Sequence, residues 1–534
     1  MTITIRSDFI IESDEVYTST SGAAFYSENS TFTFVNYGLI RATGAGAIGF
    51  YSFVSSGLVH NAGSMEVHGT GTTYGFYSPQ WFANIRNTGN VSVMGDNAYG
   101  LLTWSPSQVF ENAGRLDVIG TNSAMGLYFV NGARLTNTGS ITVTAEARAT
   151  GIYIDRFDGG TFENAGSITA VSNGQSFGLV VDGLANAATS PNIINRGTIT
   201  ADIAIFAADG GYSPQQQTIQ NIANYGTLNG NVFLAVGADI LTNFSIINGD
   251  VDMGAGADTV DLSKGGINGI VDLGEDDDTG IGSSGRDVFY GYLGRDTISG
   301  GGGDDFIDGE QGNDTLSGGA GNDIIYGGTG SDIINGDEGD DIIDGGTGND
   351  IINGGDGTDV VVLSGNFSTY TLVTANGTTT LTGADGSDQL VNVERLLFAD
   401  GLRDINGNRI RQPGDDIDGS PLDDILIGTS AAEIINGNDG NDRLVGGAGN
   451  DTLIGGAGID TADYSSAAAG VTAQLNTGVA SNDGDGGTDT FNGIENLTGS
   501  AFNDVLLGDG GSNVLRGGAG YDVLIGLAGN DVIH

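Results

Sequence analysis

One nine-residue phrase, Gly-Gly-x-Gly-x-Asp-x-apolar-x, runs without a break from Gly282 to Val362. It is cleanest as GGAGNDIIY from Gly318, GGTGSDIIN from Gly327 and GGTGNDIIN from Gly345. The other starts are Gly282, Gly291, Gly300, Gly309, Gly336 and Gly354; GSSGRDVFY and GYLGRDTIS, the first two, lack the second glycine. A period this short leaves few folds open. The glycines allow a tight turn with inward carbonyls, and the apolar eighth residue pins a very short strand to a core. No such unit can bury a core alone, so the units must stack as a solenoid.

The phrase returns from Gly419, Gly428, Gly437, Gly446 and Gly455, and again from Gly499, Gly508, Gly517 and Gly526. Between the arrays lie two β-rich insertions. The first carries a hairpin signal, Thr369–Ala375 and Thr378–Thr382 around Asn376-Gly377, and the phrase Val393 to Gly401. The second has Val471–Leu475 and an acidic loop at Asn482–Asp485. The sequence stops at His534, the last residue of a repeat, so either a truncated product or a missing C-terminal segment is expected.

The N-terminal half has another period, about 25 residues. Asn-x-Gly falls at Asn36, Asn61, Asn87, Asn112, Asn137, Asn164, Asn195 and Asn224, each followed by a short alternating strand. A second mark follows, as IGFYS from Ile48, YGFYS from Tyr74, YGLLT from Tyr99, MGLYF from Met125, TGIYI from Thr150 and FGLVV from Phe177. Two or three strands per period is one coil of a parallel β-helix, rising ~4.8 Å. The asparagines are expected to form a stacked amide ladder, with glycine in the left-handed position of the turn. The period changes at Gly249, and two transition coils carry Gly-x-Gly-x-Asp pieces.

The fold class is therefore all-β: an N-terminal parallel β-helix followed by parallel β-roll arrays with two β-rich insertions. The expected segments are 1–245 β-helix with an N-terminal cap, 246–281 transition coils, 282–362 first array, 363–418 insertion, 419–462 second array, 463–498 insertion and 499–534 third array.

Charge narrows the partners. There are 67 acidic and 17 basic residues, a net charge of −50, and Lys264 is the single lysine. Such a chain repels nucleic acid and anionic lipid and requires cations. It has no cysteine, hence no disulfide. No basic region followed by an apolar run marks a signal peptide, and no stretch suits a transmembrane helix.

The sixth-position carboxylates are Asp287, Asp296, Asp305, Asp314, Asp323, Asp332, Asp341, Asp350 and Asp359. Two repeats make one coil, so carboxylates 18 residues apart share an edge and repel. A hard cation such as Ca²⁺ needs about six to eight oxygens, which carboxylates and turn carbonyls supply. Roughly five to seven ions are expected in the first array, since each needs neighbouring turns. The apolar column Phe289, Ile298, Ile307, Leu316, Ile325, Ile334, Ile343, Ile352 and Val361 is thin, so ion binding becomes folding energy.

These repeats resemble the repeats-in-toxin (RTX) calcium-binding β-roll of secreted proteins. The resemblance implies multiple Ca²⁺ ions as cofactor, folding only where calcium is available, and an extracellular location reached by type I secretion. Carried onto this chain, it implies as ligands the aspartates above and turn carbonyls. In the first array the turn glycines are Gly300, Gly301, Gly303, Gly309, Gly312, Gly318, Gly319, Gly321, Gly327, Gly328, Gly330, Gly336, Gly339, Gly345, Gly346, Gly348, Gly354, Gly355 and Gly357. The second array adds Asp424, Asp442, Asp451 and Asp460 with Gly437, Gly440, Gly446, Gly447 and Gly449. The third adds Asp504, Asp522 and Asp531 with Gly517, Gly518 and Gly520. Glu433 and Asn513 replace the aspartate and depart from the pattern.

The Asn-x-Gly coils resemble the β-helices of adhesins and autotransporter passenger domains, which implies a surface or matrix module with an extracellular polysaccharide or a cell surface as partner. The alternative is an enzyme, because polysaccharide lyases and mannuronan epimerases also join a β-helix to RTX modules. Tyr74 to Gln80 weakly resembles the epimerase phrase Tyr-Gly-Phe-Asp-Pro-His, but Ser78 and Gln80 stand where its aspartate and histidine would be. His60, His68, Arg115, Arg134, Arg148 and Arg156 read as surface side chains, and no catalytic residue is assigned. Phe50, Tyr51, Phe76, Tyr77, Tyr128 and Tyr153 could form a sugar-stacking stripe, but alternation turns half of them inward and favours core stacking.

Overall fold

A computed structural model describes residues 2–5, 9–27, 32–52, 57–79, 84–104, 109–130, 134–155, 160–182, 192–208, 220–408 and 414–534. Apart from one 3-10 turn at Phe367–Thr369, all regular structure among them is strand. The chain divides into two units, Met1–Asn408 and Arg409–His534.

In the first unit, each N-terminal coil contributes one strand to one parallel sheet and one or two to another. Phe32–Asn36 pairs with Gly57–Asn61, which pairs with Asn84–Asn87. On the other sheet, Leu39–Thr43 pairs with Ser64–His68, and Ile48–Ser52 with Thr72–Ser78. Alternation packs Phe25, Phe34, Phe50, Phe76, Leu101, Leu127, Ile152 and Leu179 inside, each at most 3% exposed. The chain makes this fold because every coil repeats the same inward apolar places over its predecessor.

The asparagines form a continuous amide ladder. Asn36 Nδ2 donates to Asn61 Oδ1 (2.7 Å), and the same bond recurs through Asn87, Asn112, Asn137, Asn164, Asn195 and Asn224 to Asn243. All nine are at most 2% exposed. The glycine two places later is not in the left-handed conformation expected of it. It is needed because coils touch there: a β-carbon on Gly89 would fall onto the carbonyl oxygen of Gly63, and one on Gly114 onto that of Gly89.

Coil length falls along the stack while the sheets continue. Ladder partners are 25 to 31 residues apart up to Asn224, then 19 between Asn224 and Asn243. The shortening thus comes one coil before Gly249. Thr297, Thr315, Ile333 and Ile351 then pair in turn, with hydrogen-bonded aspartates 18 residues apart. The thin core column from Phe289 to Val361 is at most 1% exposed throughout.

The first insertion is a hairpin. Thr371–Ala375 and Thr378–Thr382 pair antiparallel around Asn376-Gly377, both at positive φ (55° and 85°). Ser387–Val391 then returns parallel to the stack, with Leu390 beside Ile352, and Arg395–Phe398 rejoins the other sheet.

The second unit has two parallel stacks of its own. Ile417, Ile435 and Leu453 line one, while Leu426, Leu444, Ala462, Leu497 and Leu515 line the other.

Candidate metal centre

The nonapeptide turns superimpose their carboxylates as two buried columns. Asp287, Asp305, Asp323, Asp341 and Asp359 lie on one edge, and Asp296, Asp314, Asp332 and Asp350 on the other, all at most 2% exposed. In each column one carboxylate oxygen accepts the backbone N–H of the aspartate 18 residues before it: Asp305 from Asp287 (2.7 Å), Asp323 from Asp305 (2.8 Å), Asp314 from Asp296 (2.8 Å) and Asp332 from Asp314 (2.8 Å).

The second oxygen is left bare. Oδ2 of Asp296, Asp305, Asp314, Asp323, Asp332, Asp341, Asp350 and Asp359 is buried without a partner, as is that of Asp442, Asp451 and Asp460 in the second unit. Buried polar atoms are nearly always satisfied, and a carboxylate is costly to leave otherwise. Burial pushes up the carboxyls of Asp305 and Asp451, to about 7, and those of Asp296, Asp314, Asp332, Asp341, Asp350 and Asp359, to about 6; repulsion adds to it, from Asp277 at Asp296 and from a stacked neighbour at the others.

The glycines bring carbonyls to the same places. A β-carbon on Gly309 would lie 2.6 Å from Asp314 Oδ2 and 2.8 Å from the Gly327 carbonyl oxygen; on Gly327 it would lie 2.7 Å from Asp332 Oδ2 and 2.6 Å from the Gly345 carbonyl. Gly301, Gly303, Gly319, Gly321, Gly328, Gly330, Gly339, Gly346, Gly348, Gly355 and Gly357 all hold positive φ. Tyr292 (69°), Glu310 (60°) and Asp337 (76°) hold it at the second position without glycine, so those repeats keep the turn. Among the described residues no three His, Asp or Glu side chains gather as a metal cluster. The donor set is instead paired carboxylates and turn carbonyls, all hard oxygens, and it suits a calcium-class ion.

A second kind of turn closes on itself. Asp287 Oδ2 accepts the Ser283 N–H (2.6 Å), Asp424 Oδ2 that of Ser420 (2.6 Å), and Asp504 Oδ2 that of Ser500 (2.7 Å). Thr429 does the same for Glu433, and Asp509 for Asn513. With no positive φ at the second position, its N–H points at the carboxylate. Burial raises the Glu433 carboxyl, but hydrogen bonds from Thr429 and Gly414 outweigh it and leave the pKa low. The repeat pattern treats Asp287, Asp424 and Asp504 as equal to the others; in these three the turn itself takes Oδ2, and Asp287 keeps Oδ1 as its bare buried oxygen. Asp522 and Asp531 are half-buried.

Four acidic residues join the columns unannounced by the repeats. Asp388 accepts the Asp350 N–H (3.0 Å) and Glu394 that of Asp359 (2.9 Å). In the second unit Asp489 accepts from Asp451 (3.0 Å) and Glu495 from Asp460 (2.8 Å). Both insertions thus return through the same spacing, Asp-x5-Glu, a signal readable in the sequence.

On the β-helix, Phe50 and Phe76 face inward, whereas Tyr51, Tyr77, Tyr128 and Tyr153 face outward. Most are stacked face to face, Tyr26 and Tyr51 at 5.0 Å, Tyr74 and Tyr77 at 4.6 Å, Tyr74 and Tyr99 at 5.3 Å, and Tyr128 and Tyr153 at 5.2 Å, while Tyr51 and Tyr77 meet edge-on. Stacked rings offer solvent their edges, and sugar stacking needs faces. Tyr153 and Tyr128 donate their hydroxyls to Asp182 (2.6 Å) and Asp155 (3.3 Å). Ser78 is buried, His60 bonds Thr88 (2.9 Å), Arg115 pairs with Asp117 (2.6 Å) and Arg148 lies over Phe177. Gln80 and Arg156 lie outside the described residues.

A family model described as the RTX calcium-binding nonapeptide repeat (4 copies) matches residues 272–307, 299–334, 308–343, 326–361, 427–462, 489–524 and 507–534. Another, described as the BigA third pectate lyase-like domain, matches residues 2–165. Among solved structures the chain is similar to the extracellular lipase LipA from Serratia marcescens, at 22% identity, over 41% of this chain and 38% of the lipase, with a TM-score of 0.16. No curated protein matches.

Proposed function

The chain carries RTX calcium-binding nonapeptide repeats, and from that premise we propose that it is a secreted protein whose roll folds on calcium outside the cell, with the β-helix as a surface- or matrix-adhesion module. The single observation that carries this reading is the run of buried carboxylate oxygens without partners, Asp296 to Asp359. Bound calcium supplies the positive charge that such oxygens need. The chain's own residues do the rest. Glycines bring carbonyls beside the carboxylates, the aspartate amides fix carboxylate orientation, and the thin Ile column registers the coils. Because folding creates the sites, ion binding is linked to folding, with transition affinities of ~10⁻⁴–10⁻³ M.

Titrating CaCl₂ into chelated protein under far-UV circular dichroism, with Mg²⁺ as control, tests it. A cooperative gain of β signal between about 0.1 and 1 mM calcium is expected. An unchanged spectrum would remove the switch.

The pectate lyase-like match over residues 2–165 favours a second reading, a polysaccharide-acting enzyme. Unsaturated or epimerised product from uronate oligomers would install it. The stacked tyrosines and the inward Ser78 favour the adhesion module.

A further inference from the structure

The carboxylate column does not begin with the nonapeptides. Upstream of Asp296, Asp278 donates its N–H to Asp296 Oδ1 (2.8 Å), Asp258 to Asp278 Oδ1 (2.6 Å) and Asp239 to Asp258 Oδ1 (2.6 Å). These residues sit 20 and 19 apart, in coils that lack the nine-residue phrase. The turn is nevertheless the same. Its third residues form one line of parallel bridges, Val236–Ala255–Glu275–Leu293–Gln311–Thr329. Its second residues hold positive φ at Gly254 (91°) and Gly274 (103°), as at Gly328 (96°). Asp276 takes the place of the fourth-position glycine and still holds φ 85°, a strained value for a residue with a β-carbon.

Two observations point to a ligand. Asp258 and Asp278 are each 2% exposed, and the Oδ2 of each is buried without a partner. The first residue of each turn, glycine in the arrays, is here Met253 or Leu273, both fully buried. The carboxyls therefore face apolar atoms as well as each other.

Resting on the calcium reading above, we propose that the turns ending at Asp258 and Asp278 hold a further divalent cation of the calcium class, upstream of the first nine-residue phrase at Gly282 and with Asp258 outside every segment that the nonapeptide model matches. Its donors are these two carboxylates and carbonyls of the Gly254–Gly256 and Gly274–Asp276 turns. The ion ties together the 19- and 20-residue coils through which the β-helix passes into the roll. The competing state is a pair of protonated carboxyls that needs no ion.

Hydrogen exchange and calcium counting on the full chain decide between them. In wild type, calcium is expected to slow exchange of amides 251–262 at least tenfold at pH 8, along with those of 315–352. Asp258→Asn is expected to bind one ion fewer by native mass spectrometry and to lose the slowing at 251–262 while keeping it at 315–352. The exposed-site control Asp96→Asn is expected to match wild type. If 315–352 respond to calcium but 251–262 do not, or if Asp258→Asn binds as many ions as wild type, this site falls and the roll reading stands. If 315–352 do not respond either, the roll reading itself falls.

Discussion

Asp341 turns one carboxylate oxygen to the backbone N–H of Asp323, at 2.8 Å, and buries the other with nothing to meet it. That half-satisfied carboxylate, repeated every 18 residues, makes the middle of the array the most sensitive place for a charge deletion. Asp323→Asn keeps the shape and removes the charge. The calcium midpoint is expected to rise roughly two- to tenfold, about 0.4–1.4 kcal/mol. An unchanged midpoint in a dichroism titration would say that Asp323 is no ligand.

The self-closed turns predict the opposite kind of result. Asp424 already accepts the Ser420 N–H and hydroxyl in an exposed turn, so Asp424→Ala is expected to leave the calcium midpoint within about twofold. Ser283→Gly should open the first repeat by letting its second residue take positive φ and freeing Asp287 Oδ2. Calorimetry is expected to count one ion more than in wild type, and an equal count would refute the distinction between open and closed turns.

Acidity should act in opposite directions with and without calcium. Burial holds column carboxyls above their ordinary range in the folded state, Asp332 at about 6 and Asp305 at about 7, against about 3.9 when unfolded. A raised folded pKa means that the ion-free roll is favoured below the unfolded value and loses that stability as pH rises through 6 and 7. Chelated protein is thus expected to show more β signal at pH 5 than at pH 8, while its calcium midpoint is higher at pH 5, since protons compete for the same oxygens. A chelated sample less structured at pH 5 would contradict the burial of these groups.

The β-helix should be sensitive to its amides and indifferent to calcium. Asn112→Ala removes the acceptor for Asn87 and the donor for Asn137, leaving both buried. A cost of about 2–4 kcal/mol is expected, seen as a lower thermal midpoint at any calcium level.

Much of this was legible because the period is short and the phase is strict. Counting eight from each first glycine finds every residue from Phe289 to Val361 that lines the core, and counting six finds the stacked carboxylates. Asp388 and Glu394 escaped because the hairpin stretches their separation from Asp350 and Asp359 to 38 and 35 residues, which hides an unchanged position in the coil. The period predicts a left-handed φ for Gly89, but the need for glycine there lies in the carbonyl of another coil, which a single period cannot display. The outward turn of Tyr51 followed from Gly49 shifting the alternation, so that Phe50 and not Tyr51 points inside.

The uninterrupted pairing from Asn221–Asn224 through Ile240–Asn243 and Thr259–Asp261 into Thr279–Ile281 has a kinetic meaning. A roll folding alone must close its first coil with no neighbour to pair, which is the costly step of any one-dimensional stack. Here the finished β-helix offers two edges already in register. Growth can start from that seed and zip outward a coil at a time, so folding of this array should depend on calcium supply and not on a rare nucleus.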